Sequence, residues 1–269
     1  MTTQPEKAER FRALHAREGA FIIPNPWDRG SARLLEQAGF EALATTSAGC
    51  AFSLGLRDNA VGRERMMAHV RDLASATNLP LSVDLENGFG HDPETVAETI
   101  RMTAEAGAVS GSIEDASGDP AQPLYELDHA VARIRAAVEA ARSLPFPFTL
   151  TARAENFLVG KPNLDNTIVR LRAYQDAGAD VLYAPGLRTL EQVETVLRAV
   201  DRPINVLANA SFDRDTLSKA GVRRISVGGA LTRAAYGALL RAITEMNEHG
   251  SFAFFADAVP HGELQEKFA

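Results

Sequence analysis

The chain carries a single cysteine, Cys50, in 269 residues. One thiol excludes an intramolecular disulfide framework, and such scarcity fits an intracellular protein. Long apolar runs are missing too: no window approaches the roughly 18 uninterrupted apolar residues that a membrane-crossing helix needs. The opening stretch, MTTQPEKAER, is polar and charged and lacks the apolar core of an export signal. A cytoplasmic protein is therefore expected. Lys and Arg form no block, and the net charge is −7. Nucleic acids and membrane surfaces are tracked with clustered cations, so neither is expected as a partner. An acidic chain that takes an acidic ligand needs a local cation, either a metal or a buried arginine.

What is present is ordinary globular composition, 45% hydrophobic and 23% charged, in a chain long enough to bury a core without staples. One punctuation recurs. Ala38-Gly39-Phe40, Ala106-Gly107-Ala108, Ala177-Gly178-Ala179 and Ala220-Gly221-Val222 each close a helical stretch and precede a short apolar run. Glycine just past a helix end takes the left-handed conformation cheaply, and the chain then turns into a strand. Strands are predicted at 21–24, 42–46, 81–84, 111–114, 149–152, 181–184, 204–207 and 224–227. Most are apolar runs rather than alternations, as expected of parallel strands covered on both faces. Asp92-Pro93-Glu94 reads as a helix start, and Thr189 with Gln192 as a capping box. Eight such units predict a (β/α)₈ TIM-type barrel forming one domain over 1–269, with an N-terminal helix near 6–19 and a helical tail after Gly250. A doubly wound sheet is the alternative, but no Gly-x-Gly-x-x-Gly turn follows the first strand.

In such barrels the site lies at the C-terminal strand ends. Strand three ends Asp84-Leu85-Glu86-Asn87-Gly88-Phe89-Gly90 and strand four ends Ile113-Glu114-Asp115. Asp84 and Glu86, two apart, are expected on one side of an extended segment, close to Glu114, with Asp58 able to join from the loop after strand two. An all-oxygen set suits Mg²⁺ or Mn²⁺. The same acid pairs also serve as caps and surface contacts, and spacing leaves both readings open. Arg153, emerging from strand five in Ala152-Arg153-Ala154-Glu155, needs an anionic partner, whether an acid of the chain or a ligand carboxylate.

These segments, with Trp27-Asp28-Arg29-Gly30-Ser31-Ala32, Thr45-Thr46-Ser47-Ala48-Gly49 and Leu54-Gly55-Leu56-Arg57-Asp58, resemble the isocitrate lyase/phosphoenolpyruvate mutase superfamily over roughly residues 20–245. The resemblance implies Mg²⁺ (or Mn²⁺) held by Asp84, with Asp58, Glu86 and Glu114 often acting through waters. It implies Thr46, Ser47 and Ala48 at the substrate carboxylate, and Arg153 as a substrate clamp. Arg153, Asp58, Thr46 and Ser47 are accordingly the expected catalytic residues. It also implies a last helix swapped with a neighbour, in a homodimer or homotetramer. Two departures stand out. Glu86 occupies a position where the family usually has Asp. The Lys-[Lys/Arg]-Cys-Gly-His segment of isocitrate and methylisocitrate lyases is replaced by Ala116-Ser117-Gly118-Asp119-Pro120-Ala121-Gln122-Pro123-Leu124-Tyr125, which also lacks the Lys and Asn of the phosphonopyruvate mutases. A true isocitrate lyase is not expected.

The expected activity is Mg²⁺-dependent cleavage of a C–C bond in a small 2-oxo or 2-hydroxy carboxylate, oxaloacetate- or methylisocitrate-like, through a metal-bound enolate. A phosphonopyruvate-type P–C bond enzyme and a non-catalytic 2-oxo acid-binding protein are the alternatives. Water, or Tyr125 or Asp119 if residues 118–124 close as a lid, is the expected proton source. Tyr183 and Asn209 are expected to line the pocket. His91 is expected at a helix start, Gly228-Gly229 at a strand-to-helix turn, and Cys50 in the apolar interior.

Overall fold

Each of the four Ala-Gly corners ends a helix with glycine at positive φ: Gly39 at 84°, Gly107 at 99°, Gly178 at 102° and Gly221 at 107°. The computed structural model describes residues 2–269. In it the four strands that follow these corners, β2, β4, β6 and β8, join four others in one parallel sheet of eight, in the order β1-β8-β7-β6-β5-β4-β3-β2. They are β1 (Phe21–Ile23), β2 (Leu43–Ala44), β3 (Leu81–Asp84), β4 (Ser110–Glu114), β5 (Thr149–Arg153), β6 (Val181–Tyr183), β7 (Ile204–Leu207) and β8 (Arg224–Ser226). The Ala44 amide donates to the Pro24 carbonyl at 3.0 Å, which brings the two edges together as a nearly closed barrel. The predicted barrel is the observed fold.

Helices α2 (Arg29–Gln37), α4 (Arg63–Ala76), α5 (Pro93–Glu105), α6 (Leu127–Arg142), α7 (Leu164–Asp176), α8 (Leu190–Ala199) and α9 (Arg214–Ala220) alternate with the strands. Their apolar faces and the outer faces of the strands form the main core, including Leu43, Met66, Leu81, Ile100, Leu150 and Val193. α1 (Gln4–Ala16) closes the N-terminal end of the barrel, packing Phe11 and Leu14 against Phe21, Ile23 and Val109. Thr189 and Gln192 form the capping box of α8 as predicted. Asp92 is the N-cap of α5, but its carboxylate makes no capping bond.

Strand β2 is shorter than predicted because its last residues do other work. The Thr45 hydroxyl accepts from the Asp84 amide at 2.9 Å, and Thr46 caps α3 (Ser47–Ser53) through the Gly49 amide at 3.3 Å. The last long helix, α10 (Ala230–His249), differs from the others: only Thr232 and Ala242 are buried, while Leu239, Leu240, Ile243 and Met246 face solvent. Beyond it, α11 (His261–Phe268) returns to α2, where Phe268 lies under Arg33. Among the described residues no helix is long and apolar enough to cross a membrane.

Candidate active site

Parallel pairing places Phe21, Arg224, Asn205, Tyr183, Arg153 and Glu114 in one row of cross-strand partners. Partners in a row point to the same side of a sheet. Because the strands are staggered, the row climbs from the first residue of β1 to the last of β4. Above it lies a cavity of about 190 Å³ lined by Thr45, Thr46, Ser47, Asp58, Asp84, Arg153, Tyr183, Asn205 and Arg224. A larger cavity of about 620 Å³ adjoins it on the outside, lined by Glu86, Asn87, Glu114, Ala116 and Gly118. The expected site residues are brought together, but across two compartments.

Arg153 organises the acids. Its guanidinium pairs with Asp84 at 2.8 Å, Glu114 at 3.1 Å and Glu155 at 2.9 Å. Burial works against the Arg153 charge, but these three carboxylates outweigh it and hold its pKa well above the ordinary value. Burial pushes Glu114 and Glu155 up in turn, with Arg153 opposing. Both partners left open by the sequence therefore remain available. Each of the three guanidinium nitrogens faces an acid, out of five N–H groups in all.

Glu86 departs from the expected geometry. Asp84 and Glu86 do not project to one side, because the strand ends at Asp84 and Glu86 itself is left-handed, at φ 50°. Phe89 follows at φ 60°. Non-glycine residues reach this region at a cost of roughly 1–3 kcal/mol, so the turn must be held from outside. Arg133, only 1% exposed, does so by donating to the carbonyls of Asn87, Gly90 and His91 while its guanidinium stacks on the Tyr125 ring at 4.1 Å. Sequence reasoning missed Arg133, which sits mid-helix with no motif around it.

The turn leaves Glu86 8% exposed with its Oε1 unpartnered. Burial, then the charges of Asp84 and Asp58, push its pKa to about 7. A carboxyl whose pKa rises on folding contributes stability below its ordinary value of 4.5, and that contribution is lost as pH rises through about 7. In metal-free buffer Glu86→Gln should therefore melt above wild type near pH 8, by the equivalent of about 3 kcal/mol, and with it near pH 4. Thermal melts at the two pH values check this; equal spacing at both would refute it.

Asp58 lies on the exposed loop after α3 but lines the inner cavity. Opposite, the first turn of α3 faces Asp84, with the Ser47 amide donating to Asp84 Oδ2 at 3.2 Å. Helix N-termini favour anions, and here the carboxylate that the first turn meets is that of Asp84; Thr46, Ser47 and Ala48 line the same cavity. Their placement depends on Gly49. A Cβ at Gly49 would lie 2.5 Å from Thr46 Cγ2 and 2.8 Å from Thr232 Oγ1, both short, buried side chains that have nowhere to go. Gly49→Ala should cost about 1–3 kcal/mol and loosen this turn, read as a lower melting temperature.

The loop over residues 116–124 is braced on itself. Ala116 bridges to Leu124, the Ser117 amide donates to the Pro123 carbonyl at 3.0 Å, and Asp119 accepts from the Ala121 amide at 2.8 Å. Tyr125 points away from the inner cavity, its hydroxyl 2.7 Å from His91 Nδ1. As the loop stands, neither Tyr125 nor Asp119 lines the inner cavity; the proton-donor role expected of them requires the loop to close. Tyr183 lines it as expected; Asn209 does not and is exposed. Asn25 accepts from the amides of Val227 and Gly228 at 3.0 and 2.8 Å, so that turn is already occupied internally. Cys50 is buried as expected. Asn25, Asn205 and Arg224 were missed, because single polar residues in apolar strands carry no spacing signal.

The donor set suits a hard cation, being all oxygen with one orphaned carboxylate atom. Among the described residues no three of these groups stand close enough to grip an ion together. That spacing accords with Mg²⁺, which keeps several waters and takes one or two carboxylates directly.

Comparisons with known proteins agree with this fold. A 2-methylisocitrate lyase of Salmonella typhimurium is 32% identical over 84% of this chain and 81% of its own. A Burkholderia cenocepacia J2315 protein, described provisionally as a lyase/mutase, superposes with TM-score 0.97 at 60% identity over 99% of this chain and 96% of its own. An oxaloacetate acetylhydrolase bound to oxalate gives TM-score 0.86 at 26% identity over 99% of this chain and 95% of its own. The fold is shared by a phosphonopyruvate hydrolase crystallised with oxalate and Mg²⁺, at TM-score 0.86 and 23% identity over 100% of this chain and 96% of its own. Residues 11–247 match the family described as phosphoenolpyruvate phosphomutase. With the barrel, the acid-ringed arginine and this match over most of its length, the chain belongs to the phosphoenolpyruvate mutase family, within the isocitrate lyase/phosphoenolpyruvate mutase superfamily.

Proposed function

We propose that the protein is a Mg²⁺-dependent carbon–carbon lyase acting on a small 2-oxo or 2-hydroxy carboxylate in the cytoplasm. The observation that carries this reading is one small cavity in which Asp84, Arg153 and the first turn of α3 meet. Asp84, Asp58, Glu86 and Glu114 would hold the metal. When bound, it supplies a Lewis acid that stabilises negative charge developing on the substrate oxygen. The amides of Ser47 and Ala48 orient the substrate carboxylate, and Arg153 fixes its other end. Tyr183, whose pKa burial pushes up to about 12, stays protonated and can return a proton to the carbanion, as can water. The missing cysteine in the 116–125 loop favours substrates whose leaving fragment needs no proton, such as CO₂ from an oxaloacetate-like acid.

The apolar face of α10 supports a second copy of the chain as its cover, giving a homodimer or homotetramer with that helix exchanged. The test of function is product release from 2-oxo and 2-hydroxy diacids and from phosphonopyruvate, with Mg²⁺ and with EDTA. Metal-dependent turnover of a diacid is expected. Turnover of phosphonopyruvate alone would replace the lyase by a P–C bond enzyme. Binding without turnover would leave a 2-oxo acid-binding protein.

A further inference from the structure

Arg224 stands low in the inward row, as the first residue of β8, and lines the same cavity as Asp84 and Arg153. It is 4% exposed. Its Nε donates to Asn205 Oδ1 at 2.9 Å and Nη2 to Thr151 Oγ1 at 3.0 Å, while Nη1 has no partner. Both partners are neutral, and among the described residues no carboxylate lies within ion-pair reach. The other buried arginines are provided for: Arg153 has three acids, Arg170 has Asp115, and Arg133 has three carbonyls. Among the described residues Arg224 is the arginine with a fully buried nitrogen that has no hydrogen-bond partner. Burial lowers its pKa only to about 10, so the charge is present at neutral pH.

A buried charge without a counter-charge costs several kcal/mol and would be removed by a neutral side chain of similar size. The charge has a use if the ligand brings the missing anion. Arg153 and the acids that pair with it line one part of the cavity, and Arg224, with no acid of its own, lines another. Its volume of about 190 Å³ is below the roughly 300 Å³ at which pockets for drug-sized ligands begin, so the ligand is small.

We propose that Arg224 is a specificity-determining residue: it binds the second anionic group of the substrate, the one that does not meet Ser47 and Arg153. The assignment rests on the cavity being the 2-oxo or 2-hydroxy acid site. A carboxylate and a phosphonate share the required chemistry. The first group engages Ser47 and Arg153, and the second lies toward the floor of the barrel. Asn205 positions Arg224 and holds it in place through Nε.

Isothermal titration with Mg²⁺ tests this on three ligands: malate, 3-phosphonolactate, and 2-hydroxybutyrate, which has a methyl group in place of the distal carboxylate of malate. Wild type should bind at least one of the two dianions about tenfold or more tighter than 2-hydroxybutyrate, the size of one charge-assisted hydrogen bond. Which dianion wins distinguishes carboxylate from phosphonate. Arg224→Gln should bring the ratio near one. Asn205→Asp, which places a carboxylate against Arg224, should do the same while raising the melting temperature, and it carries the test if Arg224→Gln fails to fold. No preference in wild type, or an unchanged ratio in Asn205→Asp, overturns the proposal. If wild type binds none of the three ligands, succinate is the probe. A melting temperature raised by succinate in wild type but not in Asn205→Asp keeps Arg224 as the anion selector while the hydroxy-acid reading falls. No effect, or an equal effect on both proteins, removes the Arg224 assignment.

Discussion

Asp84→Asn should lower kcat/KM by about a thousandfold on whichever acid of the panel is turned over, near 4 kcal/mol of transition-state stabilisation. The substitution keeps the shape and removes the charge at the point where three contacts converge. Asp84 Oδ1 takes Arg153 at 2.8 Å and the Glu86 amide at 3.3 Å, and Oδ2 takes the Ser47 amide at 3.2 Å. Asparagine can accept in place of Oδ1 or of Oδ2 but not both, and without the charge it weakens the hold on a divalent cation and loosens Arg153 toward Glu114 and Glu155. Both substrate clamps then lose their reference point, and a misplacement of about 1 Å is worth roughly a hundredfold in rate. Steady-state kinetics beside Mn²⁺ binding separate the two contributions. A loss of less than tenfold, with metal affinity intact, would remove Asp84 from the centre of the mechanism.

The largest effect on stability is expected one residue beyond the site acid of β4. Asp115 is 3% exposed and gathers three donors: Arg170 Nη1 at 3.0 Å, the Tyr174 hydroxyl at 2.5 Å and the Glu155 amide at 2.8 Å. Its own amide donates to the Arg153 carbonyl at 3.3 Å, and its carbonyl accepts from Tyr125 at 2.9 Å. It thus ties β4, β5, α7 and the base of the 116–124 loop. Asp115→Ala leaves Arg170 buried without its acid and should destabilise the fold by about 3–5 kcal/mol in chemical denaturation. Asp115→Asn, which keeps acceptors for part of the network, should fall between. A loss under about 1 kcal/mol, the range of an exposed pair such as Arg12 with Glu9, would mean that the network relaxes around the gap.

The barrel was legible because its signals are local. A glycine at a helix end, an acid before a helix and a short apolar run each report on their own few residues, and eight repetitions leave few topologies. The motif acids were legible for a similar reason: strand ends converge in any such barrel, so Asp84, Glu114 and Arg153 could be placed together before their distances were known. The alternation rule failed at Glu86. It assumes an extended chain, and the chain stops being extended one residue earlier, under the grip of Arg133 from more than forty positions away.

The loop residues show the complementary limit. Tyr125 and Asp119 stand where a family motif would supply a proton, yet their hydrogen bonds to His91 and to the loop itself turn them from the cavity. By itself the sequence determined the barrel and the chemical character of its mouth, since both follow from residue type and order. The tertiary structure alone decided which face each polar side chain takes and which charge goes unpaired. Arg224 looks like any arginine in the chain until the row of cross-strand partners places it among neutral neighbours. Whether a charge is compensated depends on residues 19 and 73 positions away, and no local pattern carries that information.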